Sequence, residues 1–263
     1  MTQTVFITGA ARGIGEACVR QFLAAGWNVY ATARDPEKID VAANEKLAMG
    51  RLDVGDDASI LAAVSDAVSR FGAIDLLVNN AGVGLGGPVE AMTREELHAL
   101  LDVNLVGAAL VTKAVLPGMR ENRRGMIINI GSLAGAAGLP FLAPYCASKF
   151  ALAGLSEAMQ YELAPFGIRV KLIELTGSRT QFKQQILRHP AYASGLDAVE
   201  MRLKKGMSSA SPPDLIAREI VHIAGSPSKR IRYALGAGKR MFGVMQALPE
   251  WMFRSMLSRA FGL

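Results

Sequence analysis

The chain has 263 residues, of which 51% are hydrophobic and 20% charged, and this composition suits one globular domain with a single large core. Its net charge of +6 arises at the end of the chain, where seven Lys or Arg residues and one acidic residue follow position 228. The rest of the chain is electrically balanced, which argues against the basic surface of a nucleic-acid-binding protein.

Cysteine and histidine usage predicts a protein without a metal site. Cys18 and Cys146 lie in different predicted helices and lack metal-ligand spacing, and the histidines are scattered (His98, His189 and His222). Both cysteines are expected to be free, and no leader with a charged and then an apolar part precedes Val5. These two features predict a cytoplasmic protein. No run approaches the ~20 apolar residues that span a bilayer, so we predict no transmembrane segment.

The first predicted elements are a strand, a glycine turn and a helix. Residues 4–8 are apolar and β-branched, residues 9–15 carry glycines spaced G-x-x-x-G-x-G, and apolar residues then recur at helical spacing. Such a turn brings backbone N–H groups and the positive end of a helix close to a pyrophosphate. The alternative is a flexible loop. Candidate dinucleotide contacts are Gly9, Arg12, Gly13, Ile14 and Gly15.

Arg34, which follows the second predicted strand, indicates the cofactor. An acidic residue about 20 positions after the glycines binds the ribose 2′-hydroxyl of NAD, whereas an arginine accommodates a 2′-phosphate. Arg12 offers a second guanidinium, whose forked donors suit phosphate. We therefore predict NADP(H) in preference to NAD(H). The alternative is that Arg34 is a solvated surface charge beside Asp35.

Apolar runs separated by helical patterns continue to the end of the chain. They lie near Val5, Val29, Leu47, Leu76, Ile127 and Val170 and at Arg232–Leu235. This alternation predicts an α/β protein with a single-domain Rossmann fold over residues 1–263: a doubly wound, seven-stranded parallel sheet with helices on both faces. Ligands of such sheets bind at the carboxyl ends of the strands.

Tyr145 and Lys149 are candidate catalytic residues because their i, i+4 spacing puts a phenol and an ammonium on one helical face. A free phenol has a pKa near ~10, and a cation within a few ångströms lowers the pKa of an acidic group by about one to three units. We therefore expect the Tyr145 phenol to exchange a proton near neutral pH. The alternative is an exposed pair without function.

Together these motifs resemble the short-chain dehydrogenase/reductase family, over nearly the whole chain. Residues 8–15 look like the family's cofactor turn, and residues 79–82 look like its motif beside the adenine ribose. Asn104 and Ser132 fall where the family keeps the other members of a catalytic tetrad. The resemblance adds these candidate cofactor contacts: Asp53, Val54, Asn80, Ala81, Gly82, Tyr145, Lys149, Gly177 and Thr180.

The resemblance implies reversible hydride transfer between the nicotinamide and a carbonyl carbon. Tyr145 would move the proton, and Lys149 would hold the nicotinamide ribose while its charge favours the phenolate. Ser132 would donate a hydrogen bond to the substrate oxygen, and Asn104 would position a water that links the lysine to solvent. Thr176 stands where the family usually has proline, and we expect this change to loosen the loop that faces the nicotinamide.

Residues 181–213 occupy the place of the family's variable substrate lid. Small apolar residues at 82–87 and 133–141 would form the other walls, which favours a small to medium hydrophobic carbonyl or alcohol as substrate. The layout resembles the steroid- and retinol-dehydrogenase-like branch, and relatives form dimers or tetramers, so we expect a homo-oligomer. The alternatives are a 3-oxoacyl-thioester reductase and a non-enzymatic, NADP(H)-binding redox sensor.

The last segment, residues 238–263, is a basic, amphipathic extension interrupted by Pro249. Three interpretations stay open. The extension packs against its own domain or a sister subunit, forms a lid over an apolar substrate, or makes peripheral contact with an anionic membrane.

Overall fold

The computed structural model describes residues 2–179, 182, 184–208, 210–239, 242–243 and 248–261. Within these residues, one sheet contains seven strands: β1 (Thr4–Ile7), β2 (Asn28–Ala33), β3 (Leu47–Arg51), β4 (Leu76–Asn79), β6 (Gly125–Ile130), β7 (Ile168–Leu175) and β9 (Arg232–Leu235). Their order in the sheet is β3-β2-β1-β4-β6-β7-β9, and every pairing is parallel. The predicted fold class is confirmed.

Helices cover both faces of the sheet. They are α1 (Gly13–Ala24), α2 (Asp57–Phe71), α3 (Arg94–Leu101), α4 (Gly107–Glu121), α5 (Ala143–Leu163), α6 (Ala193–Ser208), α7 (Pro213–Gly225) and α8 (Glu250–Phe261). Successive side chains of a strand point to opposite faces. Val5 and Ile7 therefore join a core with α1 and α7, whereas Phe6 joins a second core with α2, α4 and α5.

A second, two-stranded sheet lies outside the predicted elements. Strands β5 (Gly84–Gly86) and β8 (Gln184–Ile186) pair in parallel, with Gly84 opposite Gln184. The pairing joins the segment after β4 to the beginning of residues 181–213. It therefore attaches the predicted substrate lid to the body of the domain, although the lid and domain boundaries themselves stay predictions.

One helical run, Arg94–Glu121, spans 28 residues and comprises α3, a π-helical turn at Asp102–Val106 and α4. By length and composition alone it could cross a membrane, which the sequence analysis did not identify. Its apolar residues Leu100, Val111 and Met119 are buried in the protein. The run therefore contributes these side chains to the core of the protein.

The described part of the C-terminal extension packs against the chain's own domain. Helix α8 contacts α6. Phe242 is buried with Ala137, and Leu133 and Phe253 pack against the same cluster. This packing, one of the three interpretations of residues 238–263, places aromatic side chains over the loop that follows Ser132.

Candidate active site

The glycine turn lies between β1 and the N-terminus of α1. Gly9 has a φ of +67°, a conformation that side chains disfavour. A Cβ on Gly15 would lie 2.3 Å from the Gly9 carbonyl oxygen and 2.5 Å from Asn80 Nδ2. The turn therefore needs glycine to fold closely against β4. Gly13 begins α1, and the buried Ile14 offers its backbone to a ligand rather than its side chain.

The segment after β4 holds this turn in place. Asn80 Nδ2 donates to the carbonyl oxygens of Thr8 (2.9 Å) and Gly9 (3.0 Å). The backbone N–H groups of Asn80 and Ala81 both donate to Thr8 Oγ1, each at 2.9 Å. Asn80 and Ala81 thus fix the shape of the turn.

Ser132, Tyr145 and Lys149 converge beside this turn. Ser132 lies two residues after β6, and its side chain lies close enough to the Tyr145 hydroxyl to lower the pKa of the phenol. Lys149 Nζ lies 5.8 Å from the centroid of the Tyr145 ring. Because β1, β4 and β6 are neighbours in a parallel sheet, the hydroxyl pair and the glycine turn share its carboxyl edge.

The pKa of Tyr145 moves in the direction opposite to the one predicted from its spacing to Lys149. Burial raises the pKa of Tyr145 to about 12, and the hydrogen bond with Ser132 only partly offsets this effect. An uncharged phenol is favoured because a phenolate loses hydration in the protein interior. The expectation that the Lys149 ammonium lowers the pKa of the Tyr145 phenol to near neutral pH is therefore wrong.

Lys149 itself is strongly perturbed. Its side chain is 5% exposed, and burial lowers the pKa of Lys149 to about 8. Nζ donates to the carbonyl oxygen of Ile130 at 3.1 Å. The amine is therefore held at the end of β6, where it faces the candidate reaction site.

Asn104 lies in the π-helical turn and is almost completely buried. Its Nδ2 donates to the Val83 carbonyl oxygen (2.9 Å) and to Ser148 Oγ (3.1 Å), while its Oδ1 accepts from the Val83 N–H (2.9 Å). A Cβ on Gly82 would lie 3.3 Å from Asn104 Oδ1 and 3.8 Å from Lys149 Nζ. Both polar groups thus border the space over Gly82.

Arginines surround the end of β2. Arg34 is exposed, and Asp35 pairs with Lys38 (2.6 Å) instead. The Lys38 ammonium holds the pKa of Asp35 below its usual range, with smaller contributions from Arg34 and Arg51. Within the described part of the chain, the side chains of Arg12, Arg34 and Arg51 have no ion-pair partner.

Sequence reasoning missed Arg51. It ends β3 opposite Ala33 in the β2–β3 register, so it lies beside the residue that precedes Arg34. The register of two strands cannot be read from their separate sequences, which explains the omission. Asp53 and Val54 follow β3: Asp53 Oδ1 accepts from the Gly55 N–H at 3.0 Å, and Val54 is buried.

Thr176, which stands where the family usually has proline, makes two hydrogen bonds to the end of β9. Its N–H and its hydroxyl both donate to the Leu235 carbonyl oxygen, at 2.8 and 3.0 Å. Proline has neither donor, so threonine ties the end of β7 to the end of β9 in a way that proline cannot. Gly177 follows with a φ of +100°, and Thr180 lies outside the described residues.

These groups fit a nicotinamide dinucleotide. The glycine turn at the N-terminus of α1 offers backbone N–H groups to a pyrophosphate, and the guanidinium groups near the ends of β2 and β3 offer charge to an adenosine phosphate. Tyr145 and Lys149 lie at the opposite end of the carboxyl edge, where the nicotinamide ribose would be bound.

Comparison with known proteins agrees with this site. The family model of the short chain dehydrogenases matches residues 3–191. An oxidoreductase of Botryotinia fuckeliana is 34% identical over 98% of this chain and 100% of its own length. The 17-beta-hydroxysteroid dehydrogenase type 1 of Homo sapiens is 40% identical over 71% of this chain and 60% of its own length.

Solved structures give the same result. A short-chain dehydrogenase from Streptomyces avermitilis superposes with a TM-score of 0.85 at 32% identity, over 97% of this chain and 98% of its own. A metagenomic short-chain oxidoreductase in complex with NADP has a TM-score of 0.70 at 31% identity, over 89% and 95%. A 3-ketoacyl-(acyl-carrier-protein) reductase from Brucella melitensis, complexed with NADH, has a TM-score of 0.74 at 28% identity, over 89% and 96%. The chain therefore belongs to the short-chain dehydrogenase family, whose members are oxidoreductases that act on CH–OH groups with a nicotinamide dinucleotide.

Proposed function

We propose that this protein is an NADP(H)-dependent oxidoreductase that interconverts a ketone or aldehyde and an alcohol on a small to medium hydrophobic substrate. The observation that carries the proposal is the convergence of Ser132, Tyr145 and Lys149, with Lys149 Nζ 5.8 Å from the centroid of the tyrosine ring, at the same sheet edge as the glycine turn. A carbonyl oxygen placed between the two hydroxyls accepts a hydrogen bond from each.

Tyr145 is the proton donor in carbonyl reduction. Its pKa, raised to about 12 by burial, keeps the phenol protonated at neutral pH, which is the form that reduction requires. Ser132 and the Lys149 ammonium stabilise the phenolate that remains after proton transfer. Asn104 Oδ1 and Lys149 Nζ border the space over Gly82, where a water would return the proton. The bound nicotinamide supplies or accepts the hydride.

NADP(H) is the proposed cofactor. Arg34 and Arg51 lie at the ends of β2 and β3, and Arg12 precedes α1; these guanidinium groups have no ion-pair partner in the described chain, whereas Asp35 is engaged by Lys38. An anion with about two charges, such as a 2′-phosphate, compensates most of this positive charge. The NADP complex of a relative with 31% identity supports the same choice.

The hydrophobic substrate class is supported by the apolar surroundings of Tyr145. Ala134, Leu142 and Cys146 form a buried cluster against which Tyr145 packs, and Phe242 is buried with Ala137 of the adjoining loop. Apolar surroundings favour apolar ligands, because a polar group would lose its hydration there without a partner. The similarity to a hydroxysteroid dehydrogenase supports a place in the steroid- and retinol-dehydrogenase-like branch.

The second candidate is a 3-oxoacyl-thioester reductase. It is supported by the similarity to a 3-ketoacyl-(acyl-carrier-protein) reductase and by the basic C-terminal extension, which suits an acidic carrier protein. A redox sensor without catalysis has less support, because all four tetrad positions carry functional side chains.

Homo-oligomerisation and a cytoplasmic location stay predictions. Light scattering of the purified protein tests whether it forms a homo-oligomer.

Oxidation of NADPH in the presence of a panel of ketones, aldehydes and an acetoacetyl thioester tests the proposal. We expect turnover with hydrophobic ketones, and Tyr145→Phe should reduce it by about 100- to 10,000-fold with little change in NADPH affinity. Tyr161→Phe is the matched control, because it removes a hydroxyl from the same helix at a residue that is 79% exposed. Wild-type turnover in Tyr145→Phe would refute the catalytic role, and exclusive activity on thioesters would favour the second candidate.

A further inference from the structure

An aromatic side chain of the lid segment lies against the catalytic tyrosine. The rings of Phe182 and Tyr145 have centroids 5.9 Å apart and planes tilted by 59°. These values fall within the range in which aromatic pairs attract each other. Phe182 is nonetheless 43% exposed, so much of its ring surface is free for another contact.

Gly84 of β5 provides the space for this ring. A Cβ on Gly84 would lie 2.8 Å from Phe182 Cε1, closer than non-bonded carbon atoms approach. The ring therefore lies between β5 and Tyr145, and its position depends on the absence of a side chain at Gly84.

The surroundings of Tyr145 define where a substrate can lie. The tyrosine packs against Ala134, Leu142 and Cys146 in the body of the domain, and these side chains are buried. A reacting carbonyl must approach the Tyr145 and Ser132 hydroxyls from the open side. Phe182 contacts the Tyr145 ring and retains exposed surface, so its ring is available to a group attached to the carbonyl carbon.

We propose that Phe182 is a specificity-determining residue that selects substrates with a planar, unsaturated apolar group attached to the reacting carbonyl, such as aryl ketones. The inference rests on the proposed function and adds the substrate class. A planar group can stack on the exposed ring of Phe182 or meet it edge to face, whereas a saturated group of the same size gains only burial of its surface.

The test compares acetophenone with cyclohexyl methyl ketone, which match in size and differ in the planarity of the ring. The measured quantity is the ratio of their kcat/KM values with NADPH for each variant of the full chain. A ratio within one protein preparation is independent of the fraction of active protein. It therefore separates a change in recognition from a loss of folded enzyme.

Phe182→Leu keeps an apolar side chain without a ring, and Phe182→Ala removes the contact. We expect both variants to lower the aryl-to-cyclohexyl ratio by about 3- to 10-fold, the range that corresponds to one aromatic contact. Gly84→Ala, which displaces the Phe182 ring without replacing it, should lower the ratio in the same direction. Phe150→Ala is the matched control because Phe150 is similarly exposed, at 45%, and should leave the ratio unchanged.

An unchanged ratio in both Phe182 variants, with turnover retained, would overturn this inference and leave the proposed function intact. An equal fall in Phe150→Ala would also overturn it, because the effect would then not belong to the contact with Tyr145. Absence of NADPH-dependent turnover of any carbonyl by the unmodified protein would overturn the proposed function and this inference with it.

Discussion

Replacing Lys149 with methionine should stabilise the folded protein while it removes most of the activity. The lysine is 5% exposed, and burial lowers its pKa from 10.5 to about 8. Methionine fills a similar volume without a charge. The expected gain reflects the general tendency of active sites to hold groups that oppose folding.

The magnitude follows from the pKa of Lys149. A decrease from 10.5 to about 8 corresponds to a destabilisation of about 3 kcal/mol when the amine is charged in both the folded and the unfolded chain. The substitution also removes the hydrogen bond from Nζ to the Ile130 carbonyl oxygen, at about 1 kcal/mol. The net gain of about 2 kcal/mol should raise the melting temperature by about 4 to 8 °C in a domain of this size.

The pH dependence gives a sharper test. Below pH 8 the lysine is charged in both the folded and the unfolded chain, so the full destabilisation by the buried charge is present. Between pH 8 and 10.5 the folded protein holds a neutral amine while the unfolded chain still binds a proton, and the penalty disappears. The stability advantage of Lys149→Met over wild type should therefore shrink across this interval.

Thermal unfolding of wild type, Lys149→Met and Lys113→Met at a series of pH values measures this effect. Lys113 is exposed on α4, so its replacement should leave the melting temperature nearly unchanged at every pH. Two results would refute the reasoning. One is a Lys149→Met variant that is less stable than wild type at neutral pH, and the other is a difference in melting temperature between Lys149→Met and wild type that does not vary with pH.

Two further predictions concern the cofactor and the end of β7. Arg34→Asp should reduce the preference for NADPH over NADH by about 10- to 100-fold, because a charged hydrogen bond contributes about 1.5–3 kcal/mol and the new carboxylate repels phosphate. Steady-state kinetics with both cofactors measures it, and an unchanged preference would remove Arg34 from the phosphate site. Thr176→Pro should lower the free energy of unfolding by about 1–3 kcal/mol, because two hydrogen bonds to Leu235 are lost. Thr176→Val loses only the hydrogen bond of the hydroxyl, so thermal unfolding should show about half of the decrease in the free energy of unfolding. A Thr176→Pro variant as stable as wild type would contradict the stabilising role of these two hydrogen bonds.

Much of the fold could be predicted from the sequence because the central strands of the sheet are buried on both faces. Such strands appear as apolar runs, as in β6, where every residue is buried. The glycine turn was equally visible, because only glycine allows the approach measured at Gly15. Strand β8 could not be predicted from the sequence, because Gln184 and Gln185 are polar and exposed. It pairs with β5 through backbone atoms, which leave no pattern of apolar residues.

The electrostatics of the site depend on depth of burial, which spacing does not encode. The i, i+4 relation placed the Tyr145 ring and Lys149 Nζ within 5.8 Å, but burial outweighs that proximity and raises the pKa of the tyrosine. Arg51 and the bonds of Thr176 were missed for a related reason. Both depend on which strands become neighbours, β3 beside β2 and β9 beside β7, and distant parts of the chain determine this order.

The pairing of β5 with β8 has a consequence for protein engineering. Its hydrogen bonds join backbone atoms, so on the β8 strand they form with almost any side chains except proline, whereas β5 keeps its glycines. Residues beyond this attachment can therefore be exchanged, or whole segments grafted from a homologue, while the anchoring strand keeps its register. A library that varies the lid and preserves an extended backbone at Gln184–Ile186 should retain a high proportion of folded members and diversify ligand preference.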